Sequence, residues 1–287
     1  MLCKKPYWKG VQAYGCGQCL FCRINKRRLW THRIFLESLM HADNAFVTLT
    51  YDNDHLPENR SLNPKHLQDF IKRLRKNYGK SGRYIRYYAV GEYGEQTQRP
   101  HYHAALFGIE YTEPAIGKSW QFGHIHSGEV NKDSATYIAG YTVKKLDTKN
   151  SKLGQRYPEF ARMSRKPGIG ATAIQDIAQD FVTKEGSRLI SQLRDVPSAL
   201  THGNKSYPIG RYLRKKLRDE IGIEINPVDS PEAKKYTEEM RLLLESSKVF
   251  ERSLQAHEKT EILNQVNQQK HRNVEGRYKI FNQRKKI

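Results

Sequence analysis

The stretch that decides the fold is Arg99-Pro100-His101-Tyr102-His103-Ala104-Ala105-Leu106-Phe107-Gly108, in which two histidines flank a tyrosine and an apolar run follows. An apolar run bounded by proline and glycine is typical of a buried strand. Because side chains alternate between the faces of a strand, His101 and His103 point the same way. Two imidazoles side by side on a rigid strand are candidate ligands for a divalent cation, although partly buried histidines that bind nothing follow the same pattern.

A carboxylate is expected next to these histidines. Residues 84–93 predict a strand, and the turn at residues 94–100 returns the chain antiparallel to it. Glu92 is then the natural third ligand, and Glu95 replaces it if the register differs. Two imidazoles and one carboxylate leave open positions on a metal, as a catalytic site requires. Such a set binds Zn²⁺, and it also holds Mg²⁺ or Mn²⁺ when phosphate oxygens complete the shell.

A second histidine pair, His124-Ile125-His126, lies in a short strand predicted between residues 120 and 130. It has no acidic residue on a neighbouring predicted strand. Gly123 and Gly128 frame it, which is typical of an exposed hairpin. The sequence therefore favours the first pair as the ligand pair.

Two tyrosines are predicted to lie on one face of a helix. The helix is capped by Asp133 or Ser134 and ends near residue 145. Tyr137 and Tyr141 are four positions apart in it, so their phenols lie together, and Lys144 follows on the same stripe. Half-buried core packing is the ordinary role of such tyrosines. Beside a metal, a phenol can instead attack a phosphodiester, and a lysine ammonium favours the phenolate that this attack needs.

All four cysteines lie in the first 22 residues: Cys3, Cys16, Cys19 and Cys22. Four thiolates at this spacing favour a tetrahedral, structural Zn²⁺ site. An iron–sulfur cluster and thiols that bind nothing are the alternatives. Disulfides are not expected in a reducing cytoplasm.

The charge points to a polyanion as partner, since 50 Lys+Arg against 30 Asp+Glu give a net charge of +20. Two predicted helices carry basic residues expected to contact DNA phosphates: Arg23, Lys26, Arg27 and Arg28 on the helix from Cys22 to about Met40, and Lys72, Arg73 and Lys76 on the helix that Asn63 caps. The aromatic residues, with 17 tyrosines and 10 phenylalanines, offer surfaces on which bases can stack.

A membrane partner is not expected, because no apolar run reaches the roughly 20 residues that span a bilayer. The segment after Met1 is polar and basic, without the apolar core of a signal peptide. A cytoplasmic location follows as an expectation. Further along, residues 146–170 are predicted to be irregular, residues 173–193 helical, and a further helix begins at Ser230.

Three motifs in this order resemble those of the HUH rolling-circle replication initiators: Phe46-Val47-Thr48-Leu49-Thr50-Tyr51, His101-Tyr102-His103, and Tyr137 to Lys144. The chain resembles most closely the initiators of microviruses, small single-stranded-DNA phages, and especially the gokushovirus branch. That likeness rests on further stretches: Cys16-Gly17-x-Cys19-x-x-Cys22-Arg23, Gly91-Glu92-Tyr93-Gly94, Pro167-Gly168-Ile169-Gly170 and Pro208-x-x-Arg211-Tyr212. It covers roughly residues 1–215, and residues 216–287 carry none of it.

The resemblance implies an α+β fold, with an antiparallel sheet of about five strands flanked by helices. It places the histidines on a central strand and the tyrosines on a helix above them. The implied division is residues 1–41 as a four-cysteine zinc site and basic helix packed on the nuclease, 42–165 as the HUH endonuclease core, and 166–287 as a mainly helical, basic C-terminal region.

The resemblance also implies a reaction. Such initiators nick single-stranded origin DNA with Mg²⁺ or Mn²⁺, a tyrosine becomes linked to the 5′ phosphate, and a second tyrosine rejoins the displaced strand. The implied partners are the viral origin, and a helicase and DNA polymerase of the bacterial host, in its cytoplasm. Tyr141 is expected to act first because it is nearer to Lys144 than Tyr137 is. The competing interpretations are a zinc-stabilised nucleic-acid-binding protein without catalysis and a metal nuclease that activates water.

Overall fold

The computed structural model of the protein describes residues 2–79, 84–94, 96–144, 154–225, 229–247 and 253–284. The chain forms two compact units. The larger comprises Arg27–Ser187 and Val196–Gly222, and the smaller comprises Met1–Lys26, Arg188–Asp195 and Ile223–Ile287. These boundaries differ from the expected segments 1–41, 42–165 and 166–287, and that functional division stays a prediction.

Nine strands are described in three antiparallel sheets: β1 (Tyr7–Lys9), β2 (Gln12–Tyr14), β3 (Asn44–Tyr51), β4 (Arg86–Tyr93), β5 (Pro100–Phe107), β6 (Gly123–Glu129), β7 (Phe160–Met163), β8 (Ala199–His202) and β9 (Lys205–Pro208). The main sheet has five strands in the order β6-β3-β5-β4-β7. This confirms the expected five-stranded antiparallel sheet with the histidine strand, β5, at its centre. The strand β7 lies within residues predicted to be irregular, because its four residues are too few to show an alternating pattern.

The described helices are α1 (Leu20–Leu39), α2 (Pro64–Tyr78), α3 (Pro114–Ser119), α4 (Lys132–Lys144), α5 (Ile174–Val182), α6 (Lys184–Leu193), α7 (Gly210–Ile221), α8 (Pro231–Ser246), α9 (Ala256–Val266) and α10 (Gln268–Arg284). The predicted cap of α2 is confirmed, since the Asn63 side chain accepts a hydrogen bond from the Lys65 N–H. The Ser230 cap of α8 is confirmed in the same way by its bond from the Ala233 N–H.

Two helix predictions were wrong in detail. Asn131, and not Asp133 or Ser134, caps α4, because its side-chain oxygen accepts the N–H groups of both those residues at 2.9 Å. The helix predicted over residues 173–193 is divided into α5 and α6. Thr183 is extended there, and its hydroxyl accepts the N–H of Gly186 at 3.2 Å, so it ends one helix and caps the next.

The main sheet is covered on both faces. One face packs on α2 through buried residues that include Leu49, Tyr102, Phe70 and Leu74. The other face packs on α1 and α4 through residues that include Phe107 and Ile138. The alternation of β5 therefore directs Tyr102 into the first cluster and the histidines towards the second face, as the sequence predicted.

A buried ion pair ties α1 to the sheet. The Glu37 carboxylate, which is 0% exposed, accepts a bond from the Arg86 guanidinium on β4. It also accepts the Gly170 N–H at 2.6 Å, and Arg86 donates to the Pro167 carbonyl at 2.7 Å. Burial alone would raise the pKa of Glu37, but these bonds and His41 outweigh it and lower that pKa. The Pro167-Gly168-Ile169-Gly170 segment is thus fixed to the strand that carries Glu92.

The smaller unit joins the two ends of the chain. Its apolar cluster combines Ala13 of β2 with Met240 of α8 and Leu263 of α9. The Trp8 indole donates to the Thr260 hydroxyl at 2.9 Å, so the hairpin β1–β2 is fastened to α9. The expected helical C-terminal extension is confirmed, and within this unit it provides the packing for the N-terminal hairpin. None of the helices among the described residues combines the length and apolar character needed to span a membrane.

Candidate functional site

The register of β4 and β5 brings the predicted ligands together. Glu92 lies directly opposite His101 in the sheet, which confirms the predicted pairing of the two strands. The Oε1 atom of Glu92 is 2.6 Å from Nε2 of His101 and 3.1 Å from Nε2 of His103. The three ligand atoms lie within 4.8 Å of one another. Glu95, the alternative carboxylate, lies outside the described residues.

The remaining ring nitrogens are held by neighbouring groups. His103 Nδ1 is 2.9 Å from the Thr48 hydroxyl on β3, and His101 Nδ1 is 3.1 Å from the Arg99 carbonyl oxygen. Each imidazole is therefore oriented with Nε2 towards the carboxylate. Such outer partners fix the ring and tautomer of metal-ligating histidines. The sequence analysis missed the role of Thr48; its only signal was a polar residue at an alternate position of an otherwise buried strand.

The site is electrostatically coupled. Burial would raise the pKa of Glu92, but hydrogen bonds from His101 and His103 outweigh burial and lower the Glu92 pKa to about 2. Burial would lower the pKa of His101, yet its bond to Glu92 raises that pKa. A second carboxylate, Glu159, adds to this effect on His101, and its Oε1 accepts the Tyr93 N–H at 2.9 Å. Glu92 is thus ionised, and it faces two nitrogen donors.

Both predicted tyrosines lie over His103. The Tyr141 ring is parallel to the imidazole at 5.1 Å, with 11° between the planes, and the Tyr137 ring meets it edge-on at 5.3 Å. The two phenol rings are 4.8 Å apart. Tyr141 is half-buried, whereas Tyr137 is 40% exposed. The predicted placement of both phenols on one helix face beside the histidines is confirmed, and their chemical roles stay a prediction.

The hydroxyls of the nearby tyrosines differ in their surroundings. Burial and the neighbouring Glu92 carboxylate raise the pKa of Tyr141 far above its ordinary value, so the phenol is protonated at neutral pH. Tyr102, the alternative nucleophile between the two histidines, is fully buried on the other face, and its hydroxyl is bonded to Tyr51 and Asn63. The side chain of Lys144 lies outside the described residues.

The four cysteines form a second cluster, in the smaller unit. All are free thiols, and their sulfur atoms lie within 4.8 Å of one another. The N–H groups of Cys16 and Cys19 donate to the sulfurs of Cys3 and Cys16, each at 3.3 Å. Burial would raise the pKa of Cys16, but backbone N–H groups outweigh it and lower this pKa to about 7. The cluster therefore has the donors and the geometry of a tetrahedral thiolate site.

The predicted DNA-binding residues are dispersed. Lys72 and Lys76 are exposed on α2, which covers the sheet face opposite to the histidines, and Arg73 donates to the Ser119 carbonyl at 2.9 Å. Arg28 donates to the Ser206 carbonyl at 2.8 Å.

On α1, the Cδ atom of Arg27 lies 3.8 Å from where a Cβ of Gly140 would be. The Arg27 side chain therefore passes beside the helix that carries both tyrosines. Arg23 and Lys26 belong to the smaller unit. Of the predicted phosphate contacts, Arg27 is the one that this structure brings to the tyrosine helix.

The fold and the site define a class: an α+β protein with a carboxylate–histidine cluster on the central strands of an antiparallel sheet and two phenols above it. The family of replication-associated proteins described by the name ORF2 matches residues 44–146, a range that contains the three ligand candidates and both tyrosines. The chain belongs to this family of replication-associated proteins, and the predicted resemblance to those of microviruses is confirmed.

Three curated relatives illustrate the likeness. The chain is 33% identical over 227 residues to the Replication-associated protein ORF2 of Spiroplasma virus 4, covering 71% of this chain and 68% of the relative. It is 35% identical to the Replication-associated protein VP4 of Bdellovibrio phage phiMH2K, covering 57% and 58% of the two chains. It is 31% identical to the Replication-associated protein ORF4 of Chlamydia phage 1, covering 49% and 41%. No solved structure matches the chain.

Proposed function

We propose that the protein is a replication initiator that nicks single-stranded origin DNA with a tyrosine hydroxyl, becomes linked to the 5′ phosphate, and rejoins strands to end rolling-circle replication. The observation that carries the proposal is the pair of phenol rings at 5.1 and 5.3 Å from His103, above a Glu-His-His ligand set. Membership in a replication-associated family supports the role in replication. A helicase and a DNA polymerase of the host, in its cytoplasm, are the further partners of this proposal.

Glu92, His101 and His103 are proposed to hold Mg²⁺ or Mn²⁺. The donor set fits, because one ionised carboxylate and two oriented Nε2 atoms converge and leave positions open for phosphate oxygens. A divalent cation there would supply positive charge next to the scissile phosphate. The Glu92 carboxylate is already ionised near neutral pH, so no proton has to leave it for the cation to bind.

The tyrosine performs the strand transfer. Its oxygen bonds to phosphorus, the P–O3′ bond breaks, and the 3′ oxygen leaves with a proton as a hydroxyl that primes synthesis. The phosphotyrosine bond retains the energy of the broken linkage, so resealing needs no nucleotide triphosphate. We assign the first nick to Tyr141, whose ring stacks on His103, and the second attack to the more exposed Tyr137.

Cys3, Cys16, Cys19 and Cys22 are proposed to hold a structural Zn²⁺. Four sulfurs within 4.8 Å of one another leave no open position for a substrate once they surround one ion. Because zinc binding stabilises the folded arrangement of its ligands, this site is proposed to act on stability and not on the reaction.

The test is covalent linkage between protein and DNA. Wild-type protein is incubated with an origin-bearing single strand and Mn²⁺, and the products are separated on denaturing gels. A protein–DNA adduct supports the initiator, free cleaved DNA supports a nuclease that uses water, and intact DNA supports binding alone. The Tyr137→Phe/Tyr141→Phe double variant should form no adduct while it keeps Mn²⁺ and DNA binding, since only the two hydroxyls are lost. An adduct in this variant would show that another residue is the nucleophile.

The single variants separate the two attacks. Tyr141→Phe should lose most of the initial nicking. Tyr137→Phe should nick once and release few closed circles. The reverse pattern would assign the first attack to Tyr137.

A further inference from the structure

A second histidine pair lies on the same face of the sheet as the candidate ligands. His124 and His126 are on β6, the edge strand that pairs with β3. His126 lies opposite Thr48, which on its other side lies opposite His103. His124 is related in the same way, through Thr50, to the other candidate ligand histidine. Because directly opposed residues project from the same face, the two histidine pairs are in register, with one strand between them.

The intervening strip is polar and open. Neighbouring strands are about 4.8 Å apart, so two strand spacings place His124 and His126 about 10 Å from the ligand histidines. Both are exposed, whereas Ile125 between them packs against the apolar cluster on the opposite face. Further along the same face, Phe46 lies against Tyr137 of α4. The polar strip thus begins where the helix cover ends and runs from the ligands to the edge of the sheet.

Neither packing nor metal binding accounts for this pair. The fold requires an apolar residue at position 125 and places no such demand on His124 or His126. Threonines occupy the opposed positions of β3, and among the described residues the groups that could hold a metal ion do not include these histidines. Glu129, the acidic residue of β6, lies opposite Ala45 and so projects from the other face. On the face of the ligands, β6 therefore presents hydrogen-bond donors without a carboxylate.

We propose that His124 and His126 bind the phosphate backbone of the single strand, next to the phosphate that the tyrosine attacks. An imidazole N–H donates to a phosphate oxygen in either protonation state of the ring. A flexible strand whose scissile phosphate lies at the ligand set can continue over the polar strip to the edge of the sheet. The identity of the attacked phosphate rests on the proposed function, whereas the binding of DNA by this pair does not.

The first test measures affinity without nicking. A fluorescein-labelled single strand of about 20 nucleotides, longer than the site of a typical single-strand-binding fold, is titrated with full-length protein in Mn²⁺ and followed by anisotropy. The His124→Ala/His126→Ala variant should bind about tenfold more weakly, since two bonds to a charged group are lost. The His124→Arg/His126→Arg variant, which keeps donors at both positions, should retain wild-type affinity or exceed it. His55→Ala is the matched control, because His55 is an exposed histidine whose ring contacts Phe122, next to the opposite cluster.

The second test locates the contact. A neutral methylphosphonate is placed at single linkages on either side of the nick in a strand that the wild type cuts. Substitution beside the nick should weaken binding of the wild type but not of the alanine variant. Wild-type affinity in the alanine variant, or equal losses in the alanine and arginine variants, would overturn the subsite. If wild-type protein binds DNA and forms no adduct, the proposed reaction fails, and the anisotropy comparison still decides whether the edge histidines bind the backbone.

Discussion

Replacing Thr48 by valine should weaken Mn²⁺ binding without unfolding the sheet. The change keeps the β-branched shape that suits a strand and removes the hydroxyl that lies 2.9 Å from His103 Nδ1. Without that partner the ring loses the bond that fixes its tautomer and turns Nε2 towards Glu92. Loss of such an outer partner costs about 10- to 100-fold in metal affinity, which is about 1.4 to 2.8 kcal/mol.

The assay is a titration with Mn²⁺, in which the free ion is measured by electron paramagnetic resonance. Mn²⁺ prefers oxygen and nitrogen donors, so the cysteine cluster contributes little to the signal. Thr50→Val is the matched control, because Thr50 lies on the same face of β3, opposite His101, whose Nδ1 is instead 3.1 Å from the Arg99 carbonyl oxygen. Equal Mn²⁺ affinity in the wild type and in Thr48→Val would refute the orienting role of this hydroxyl. An equal loss in both threonine variants would refute its specificity.

Three further predictions concern stability. Glu37→Ala should lower the free energy of unfolding in urea by about 3 to 5 kcal/mol, because it leaves the Arg86 cation buried without its carboxylate; a loss below about 1 kcal/mol, the value of a surface pair, would contradict this. Burial and a neighbouring histidine lower the pKa of His32 to about 4, so stability should be complete above about pH 6.5, the unfolded value, and fall by up to about 3 kcal/mol towards pH 4; a His32→Asn variant should give a flatter urea-midpoint profile over that interval. Cys16→Ser with Cys19→Ser should reduce zinc content, measured by mass spectrometry, together with the melting temperature, and reduced wild-type protein without zinc would contradict the zinc assignment.

Local signals made the strands and the ligand set predictable. Alternation along β5 and the turn before it sufficed to pair Glu92 with His101, because a short antiparallel connection fixes the register. The cap of α2 was predictable since Asn63 immediately precedes a proline at the first helical position. The placement of Tyr137 and Tyr141 followed from helical periodicity and from the resemblance to known initiators.

What the sequence could not provide depends on contacts between distant segments. Thr48 and His103 are 55 positions apart, and their bond exists only because β3 pairs with β5 in one register. The phosphate-binding interpretation of Lys72 and Lys76 came from charge alone, and charge contains no information about the sheet face that α2 covers. The in-register alignment of the second histidine pair likewise depends on the insertion of β3 between β5 and β6.

The order of the strands explains why one face of the sheet can carry the whole site. With β3 inserted between β5 and β6, a single row of the face runs from Glu92 on β4 through His101 and Thr50 to His124 at the edge. Each neighbour in that row is positioned by backbone pairing, so the distances along it are set by the sheet and not by flexible loops. The residues between the histidines, Tyr102 among them, meanwhile build the buried core of the opposite face. The strand alternation thus lets the same short segments stabilise the fold and hold the groups that would meet DNA.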